Sequence, residues 1–277
     1  MTTPNWPIGY DDLEPYYSKA ERLLVVHGDA GADACGPHRS VGYPQPSQEL
    51  TPPAQRIFAA AQKLGYHPFK IPLAINFTDN SRNTCIKCNT CDGFPCRIEA
   101  KNDLTATVLR EAQELGLEIV AATIVTELKV DGGRVRQLSC ISKETNEVSS
   151  VGVQLLFLGA GALHSPALLR RSNLGTEHPF FGRCLMRHCN AVAGYLFKGA
   201  TNPENVFHKQ LCFTDFYEDF RTEHGTAAGV IQDIYTPAPE VLHHFAPGGL
   251  KRLAAAASPR FAPGWTAPWP AIRRSSR

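Results

Sequence analysis

Long apolar runs, a net charge of either sign and an N-terminal targeting signal are missing from this 277-residue chain. The longest apolar stretch, Val153 to Leu163, is broken by Gln154 and falls well short of the roughly 20 residues a membrane-spanning helix needs. We therefore expect no transmembrane segment. Lys and Arg number 28 against 26 Asp and Glu, a formal charge of +2, which gives no electrostatic reason to expect nucleic acid or an anionic membrane as partner. Met1 to Asn5 carries neither a basic patch nor an apolar signal core, so a cytoplasmic chain is the expectation. No internal repeat is visible. Acidic residues are absent from Val241 to Arg277, where Pro, Trp and Arg follow one another without helical or strand period. That composition fits a disordered extension or an aberrant ending to the reading frame, with a basic anchor bearing Trp265 and Trp269 as the functional alternative.

Hydrophobic residues make up 43% of the chain, enough to build a core in one or two domains. Asp11 and Asp12 precede apolar positions Leu13, Tyr16, Tyr17, Ala20, Leu23 and Leu24 at helical spacing. Thr51-Pro52-Pro53 opens a second helix that Gly65 closes, and Gly28 to Gln48 between them reads as a loop. Asp103 is placed to cap a third helix from Leu104 to Leu115, stopped by Gly116. Leu117–Ala122, Ile124–Val130 and Arg134–Ser142 then read as strands, with Asp131-Gly132-Gly133 turning between the last two, and Gln154–Leu158 as a further strand.

Two segments carry chemistry. Cys85, Cys88, Cys91 and Cys96 stand as C-x₂-C-x₂-C-x₄-C, four of the nine cysteines in one loop. Short spacing of this kind turns thiolates toward one iron–sulfur cluster or a tetrahedral zinc; disulfides and packed free thiols are the alternatives. The other five, Cys35, Cys140, Cys184, Cys189 and Cys212, are scattered and read as packing. The second segment runs from Gln154 through Gly159-Ala160-Gly161 to Gly175: a buried strand, a small-residue turn and a helix start. Such a turn lets a ligand approach bare backbone and offers unpaired N–H groups to an anion or polar ring edge. His164 occupies the position of the third Gly of a dinucleotide fingerprint, so a plain pyrophosphate loop is not expected, and small residues serving only close packing are the alternative.

Gly161-Ala162-Leu163-His164-Ser165-Pro166-Ala167-Leu168-Leu169-Arg170-Arg171-Ser172-Asn173-Leu174-Gly175 resembles the second signature of the glucose-methanol-choline (GMC) oxidoreductases, with Asn173 where Gly is usual. Trp6 to Tyr17, Ala100-Lys101-Asn102-Asp103 and Phe181 to His188 resemble the same family in the same order. The resemblance implies an α/β chain of mixed α+β character: a partial Rossmann-type FAD-binding domain over 1–190 that includes the Cys-rich loop 85–96, a small antiparallel sheet, the start of a substrate-binding domain over 191–240, and the tail 241–277. It covers the middle of a family enzyme, since neither the family's Gly-rich flavin loop nor its terminal catalytic His region is found here.

What the resemblance implies for function is FAD-dependent oxidation of an alcohol to an aldehyde or ketone by hydride transfer to flavin. It assigns Val125, Ala160 and Gly161 to the adenosine half of FAD, leaves the catalytic base unassigned, and makes Cys85, Cys88, Cys91 and Cys96 candidate ligands of an iron–sulfur cluster that would pass electrons to an acceptor subunit. His188 and His164 read as structural, and the adjacent pair His243-His244 is not expected to share a metal. A subunit of a split flavoenzyme and a metal-binding electron-transfer module remain as alternatives.

Overall fold

The computed structural model describes residues 6–88, 91, 95–183, 185, 186, 191, 193, 199, 201–204, 206, 207, 209–225, 229–234 and 248. The expected tail, apart from residue 248, and Cys184, His188, Cys189, His243 and His244 lie outside them. In chain order the elements are α1 (Tyr10–Leu23), α2 (Pro52–Lys63), β1 (Phe69–Lys70), α3 (Val108–Glu114), β2 (Thr123–Asp131), β3 (Arg134–Ser142), β4 (Val148–Gly152), α4 (Gly161–Arg171), β5 (Leu211–Phe213), α5 (Tyr217–His224) and β6 (Ile231–Gln232). They fall into two compact units, one from 1–115 with 196–277 and the other from 116–195.

In the first unit a three-stranded antiparallel sheet of order β1-β5-β6 pairs Phe69 with Cys212 and Phe213 with Ile231. Its central strand carries Leu211, fully buried. Beside it Ile75 and Phe207 form a small core against which Leu73, Phe77, Cys85 and Cys91 pack. Polar side chains do much of the joining. Gln210 is buried, and its carbonyl accepts from the Thr51 N–H (2.8 Å) and Thr51 Oγ1 (2.9 Å) while its amide donates to Glu49 O (3.0 Å). Thr51 Oγ1 also approaches Phe207 O at 2.5 Å. The start of α2 is thereby fastened to the approach to β5.

Helix α1 departs from its expected apolar facing. Tyr16, Tyr17 and Leu23 are exposed, and its buried residues are Glu14 and Ser18. Glu14 accepts from Ser18 Oγ (2.9 Å), Ser40 N–H (3.0 Å) and Ser40 Oγ (2.8 Å). Glu21 pairs with Arg39, whose guanidinium lies 3.9 Å from the centre of the Tyr43 ring. Charge and hydrogen bonding, absent from a hydropathy pattern, choose which face of α1 meets the 33–48 loop.

Helix ends follow a common backbone solution. After α2, Tyr66 N–H donates to Ala61 O and Gly65 N–H to Gln62 O (both 3.0 Å), with Gly65 at φ 84°. This is the Schellman arrangement, which needs a left-handed residue just past the helix. α4 ends the same way with Asn173 at φ 54°, and Asn tolerates that region better than other side chains. α1 does it with Val25 at φ 46°, a β-branched residue in a conformation that disfavours it. α3 is shorter than expected. The Asp103 carboxylate accepts from the Thr105 and Ala106 N–H groups (3.0 Å each), closing residues 103–107 as a turn, and the helix begins only at Val108.

The second unit is an antiparallel meander of order β2-β3-β4 with α4 on it. Gly132 and Gly133, at φ 58° and 75°, make a two-residue turn of the kind whose twist suits a hairpin, closing the Asp131–Arg134 pair. A register shift between Val125 and Glu127 leaves Thr126 as the extra residue. Leu168 of α4 and Leu128 of β2 are buried, Ser172 Oγ accepts from Leu128 N–H (2.8 Å), and Arg171 Nε donates to Thr126 O (3.1 Å). Two expected strands are missing. Neither Leu117–Ala122 nor Gln154–Leu158 forms a strand, although the Ala122 carbonyl accepts from Lys143 N–H (2.7 Å), and Val120, Leu155 and Phe157 are 65%, 74% and 87% exposed. Runs that are apolar on both faces suit the interior of a parallel sheet and need a strand on each side; among the described residues none flanks them.

Three outcomes are expected. Val25→Gly raises stability by about 0.5–1 kcal/mol in thermal unfolding, because it removes left-handed strain at a partly exposed site, whereas Asn173→Val lowers it. Gln210→Leu lowers it by about 2–3 kcal/mol, since it strands the buried Thr51 groups and Glu49 O. Glu14, whose pKa is lowered chiefly by the Ser40 N–H bond and further by the Ser40 and Ser18 hydroxyls, contributes stability that is present above the ordinary glutamate range and lost as pH falls through the folded value. Glu14→Gln therefore flattens the acid limb of a stability–pH curve.

Candidate functional site

The cysteine loop is held at its base by backbone bonds. Cys85 N–H donates to Asn76 O (2.7 Å), Phe207 N–H to Lys87 O (2.8 Å), and Cys88 bridges Val206. Asn76 is buried; its amide donates to Asp79 O (2.8 Å) and Asn83 O (3.1 Å), and its carbonyl accepts from Asp79 N–H (2.9 Å). On the far side Lys101 Nζ reaches Cys91 O at 2.5 Å, and Asn102, also buried, accepts from Arg82, which donates as well to Ala106 O (2.8 Å). The Ala100-Lys101-Asn102-Asp103 segment is thus a structural brace behind the loop.

Within the loop, Cys85 Sγ accepts from Lys87 N–H and Cys96 Sγ from Ala100 N–H, each at 3.3 Å. Burial pushes the Cys85 thiol up, and the neighbouring Cys88 and Cys96 push it the same way, against the Lys87 N–H. Among the described residues no three His, Cys, Asp or Glu side chains come together to hold a metal ion, so the structure lends no support to an iron–sulfur cluster or zinc on Cys85, Cys88, Cys91 and Cys96; residues 89, 90 and 92–94 of the same loop lie outside the described residues. Cys85 and Cys96 are free thiols, as are Cys35, Cys140 and Cys212.

Val125, Ala160 and Gly161 all belong to the second unit. Val125 is half-buried, paired with Cys140 beside the Thr126 bulge. Gly161 opens α4 at φ 77°, and a Cβ added there would meet no atom within 4 Å. Residues 159–164 are exposed, and Ala160, the residue before the helix, provides no side-chain cap, so the first N–H groups of α4 are open to a ligand. The turns of α4 bonded to β2 are the C-terminal ones, at Arg171 and Ser172. Gly161 stands ten residues before Arg171, roughly 15 Å along the axis. β2 and the helix are packed together, while the Ala160-Gly161 turn extends beyond the contact.

A family profile described as GMC oxidoreductase matches residues 4–190, about two thirds of the chain. The chain belongs to the GMC oxidoreductase family. Its relatives include the 6'''-hydroxyparomomycin C oxidase of Streptomyces lividus, 33% identical over 69% of this chain and 36% of that protein. The gluconate 2-dehydrogenase flavoprotein of Pantoea cypripedii is 27% identical over 64% and 32%, and the paromamine 6'-oxidase of Streptomyces fradiae 30% identical over 61% and 30%. The chain thus spans about a third of the length of the curated relatives it matches.

As a GMC oxidoreductase the chain departs from the signature at Asn173, and the left-handed backbone there explains why Asn can stand in for Gly. Sequence reasoning missed His27, Asn76, Asn102 and Gln210, the buried polar residues that frame the first unit. For Asn76 the signal is polarity inside an apolar stretch, Ala74-Ile75-Asn76-Phe77, whereas Asn102 stands between Lys101 and Asp103 and Gln210 follows Lys209.

Alkylation kinetics with peptide mapping check the thiol assignment: exposed Cys35 is expected to react with iodoacetamide several-fold faster near neutral pH than Cys85, whose protonated form is favoured.

Proposed function

We propose that this chain supplies the adenosine-side wall of an FAD-dependent enzyme that oxidises an alcohol to an aldehyde or ketone. The observation that carries the reading is the family match over residues 4–190, which includes both Val125 and the Ala160-Gly161 turn. FAD, when bound, supplies the hydride acceptor. This chain's own contribution is positional. The Gly161 turn offers bare backbone and unpaired helix N–H groups, and β2 presents Val125 at a bulge, where ladder pairing is locally relaxed. No side chain here is given the part of the alcohol's proton acceptor.

The relatives' names, two aminoglycoside-type oxidases and a gluconate dehydrogenase flavoprotein, favour a hydroxyl on a sugar-like compound as the substrate class. A second reading, that the chain works as part of an assembly with another polypeptide, is favoured by the exposed apolar runs at 117–122 and 154–158, which a partner contributing neighbouring strands would cover. A reducing compartment, the cytoplasm, suits the free thiols.

The test is flavin fluorescence on titrating purified chain into FAD, with riboflavin as the control lacking adenosine. A rise in fluorescence is expected with FAD, whose adenine quenches the flavin by stacking on it until the adenosine half is captured, and no change with riboflavin; Gly161→Val is expected to weaken FAD binding about tenfold or more, roughly 1.4 kcal/mol, while circular dichroism stays unchanged. Equal response to FAD and riboflavin, or an unaffected Gly161→Val variant, would remove the adenosine-wall assignment.

A further inference from the structure

The first unit contains a second polar feature, independent of the flavin reading. His27 is 2% exposed and sits where three stretches of chain meet. Its backbone exchanges hydrogen bonds with Leu73 (3.0 and 2.8 Å) and it bridges Gln45 as well. The Phe77 ring packs edge-on against the imidazole, 5.1 Å between centres at 89°. Nδ1 lies 3.0 Å from Pro46 O. A carbonyl can only accept, so this contact assigns a proton to Nδ1, which in an uncharged imidazole leaves the lone pair at Nε2. That Nε2 is buried and has no hydrogen-bond partner among the described residues.

The ring lines a cavity of about 10 Å³ whose wall is completed by Ser47, Gln48, Lys70, Ile71, Leu73, Phe77 and Gln210. A space of that size holds about one water molecule, and a water is retained where several polar groups converge on it. Polar groups do converge here. Ser47, Gln48, Lys70 and Gln210 stand in the lining; the Gln48 amide nitrogen is 3.4 Å from Nδ1, while Ser47 Oγ donates to Asp29 and the Lys70 ammonium is 4.0 Å from that carboxylate, which is outside the lining. Orphan acceptor, matching volume and polar lining are three separate observations.

We infer that this cavity is a binding site for one structural water, which donates to His27 Nε2 and joins the 26–28, 45–48 and 70–73 stretches through the Gln48 and Ser47 side. The water completes the hydrogen bonding of a buried imidazole that the protein alone leaves half satisfied. It also holds the ring in the Nδ1-protonated tautomer.

Nitrogen NMR of the full chain labelled at histidine tests this. The expected result is a neutral His27 protonated at Nδ1, with its bare nitrogen displaced upfield from the position of an unbonded lone pair, together with a cross-peak between His27 Hε1 and a long-lived water that is lost in Gln48→Leu or strongly shortened in lifetime. An unbonded Nε2 signal without a water cross-peak, or a proton found on Nε2, would overturn the inference. The tautomer and the water cross-peak are both read on the unaltered chain, so the test stands even where Gln48→Leu fails to fold.

Discussion

The side-chain amide of Gln210 joins pieces of chain that lie some 160 residues apart in sequence: it fixes the start of α2 through Thr51, reaches back to Glu49 and leads directly into β5. The adjacent Asp233 accepts from the backbone N–H groups of Gln210 and Leu211 (3.0 and 2.8 Å), so β6 is registered on the same point. Buried polar groups of this kind cost more to leave unpaired than they contribute when paired. Their effect is therefore selective: alternative arrangements that break the set are penalised, while the native one gains little beyond satisfaction. The small apolar core at Ile75 and Phe207 fills the space that this framework encloses.

The cysteine loop inherits its shape from that framework. Asn76 binds main chain on one side of it, Asn102 accepts from the Arg82 guanidinium on the other, and Lys101 crosses behind to Cys91. Burial then pushes the Cys85 thiol pKa up, and Cys88 and Cys96 act the same way. Dense cysteine spacing and a ligand set are separate properties. Spacing brings sulfur atoms near one another along the chain, whereas coordination needs them converged, deprotonated and within reach of one ion.

In the second unit the governing constraint is that strand backbone must find partners. The β2-β3-β4 meander satisfies it locally, through a Gly-Gly turn and an edge strand whose outward groups are met by Arg171 and Ser172 of α4. The stretches at 117–122 and 154–158 join no ladder among the described residues, although the Ala122 carbonyl accepts from Lys143 N–H. Their apolar side chains, Phe157 above all, remain in solvent, which is the physical basis for reading this part of the GMC chain as one side of a larger sheet.

Local determinants were legible in the residues themselves. Thr51-Pro52-Pro53 and Gly65 bounded α2, Asp131-Gly132-Gly133 set the hairpin, and the Gly161-to-Gly175 pattern gave the family, because each depends on backbone preferences acting over a few positions. Sequence also placed polar residues within apolar stretches, as at Asn76, without revealing what they would bond. Tertiary structure alone decided that α1 buries Glu14 rather than its tyrosines, that Asp103 closes a turn instead of starting a helix, that His27 lies at a three-way junction over a cavity, and that two strand-like runs stay unpaired. The reason is common to all four: each outcome depends on partners distant in the chain or beyond hydropathy's reach, and pairing, unlike propensity, is a property of two sites at once.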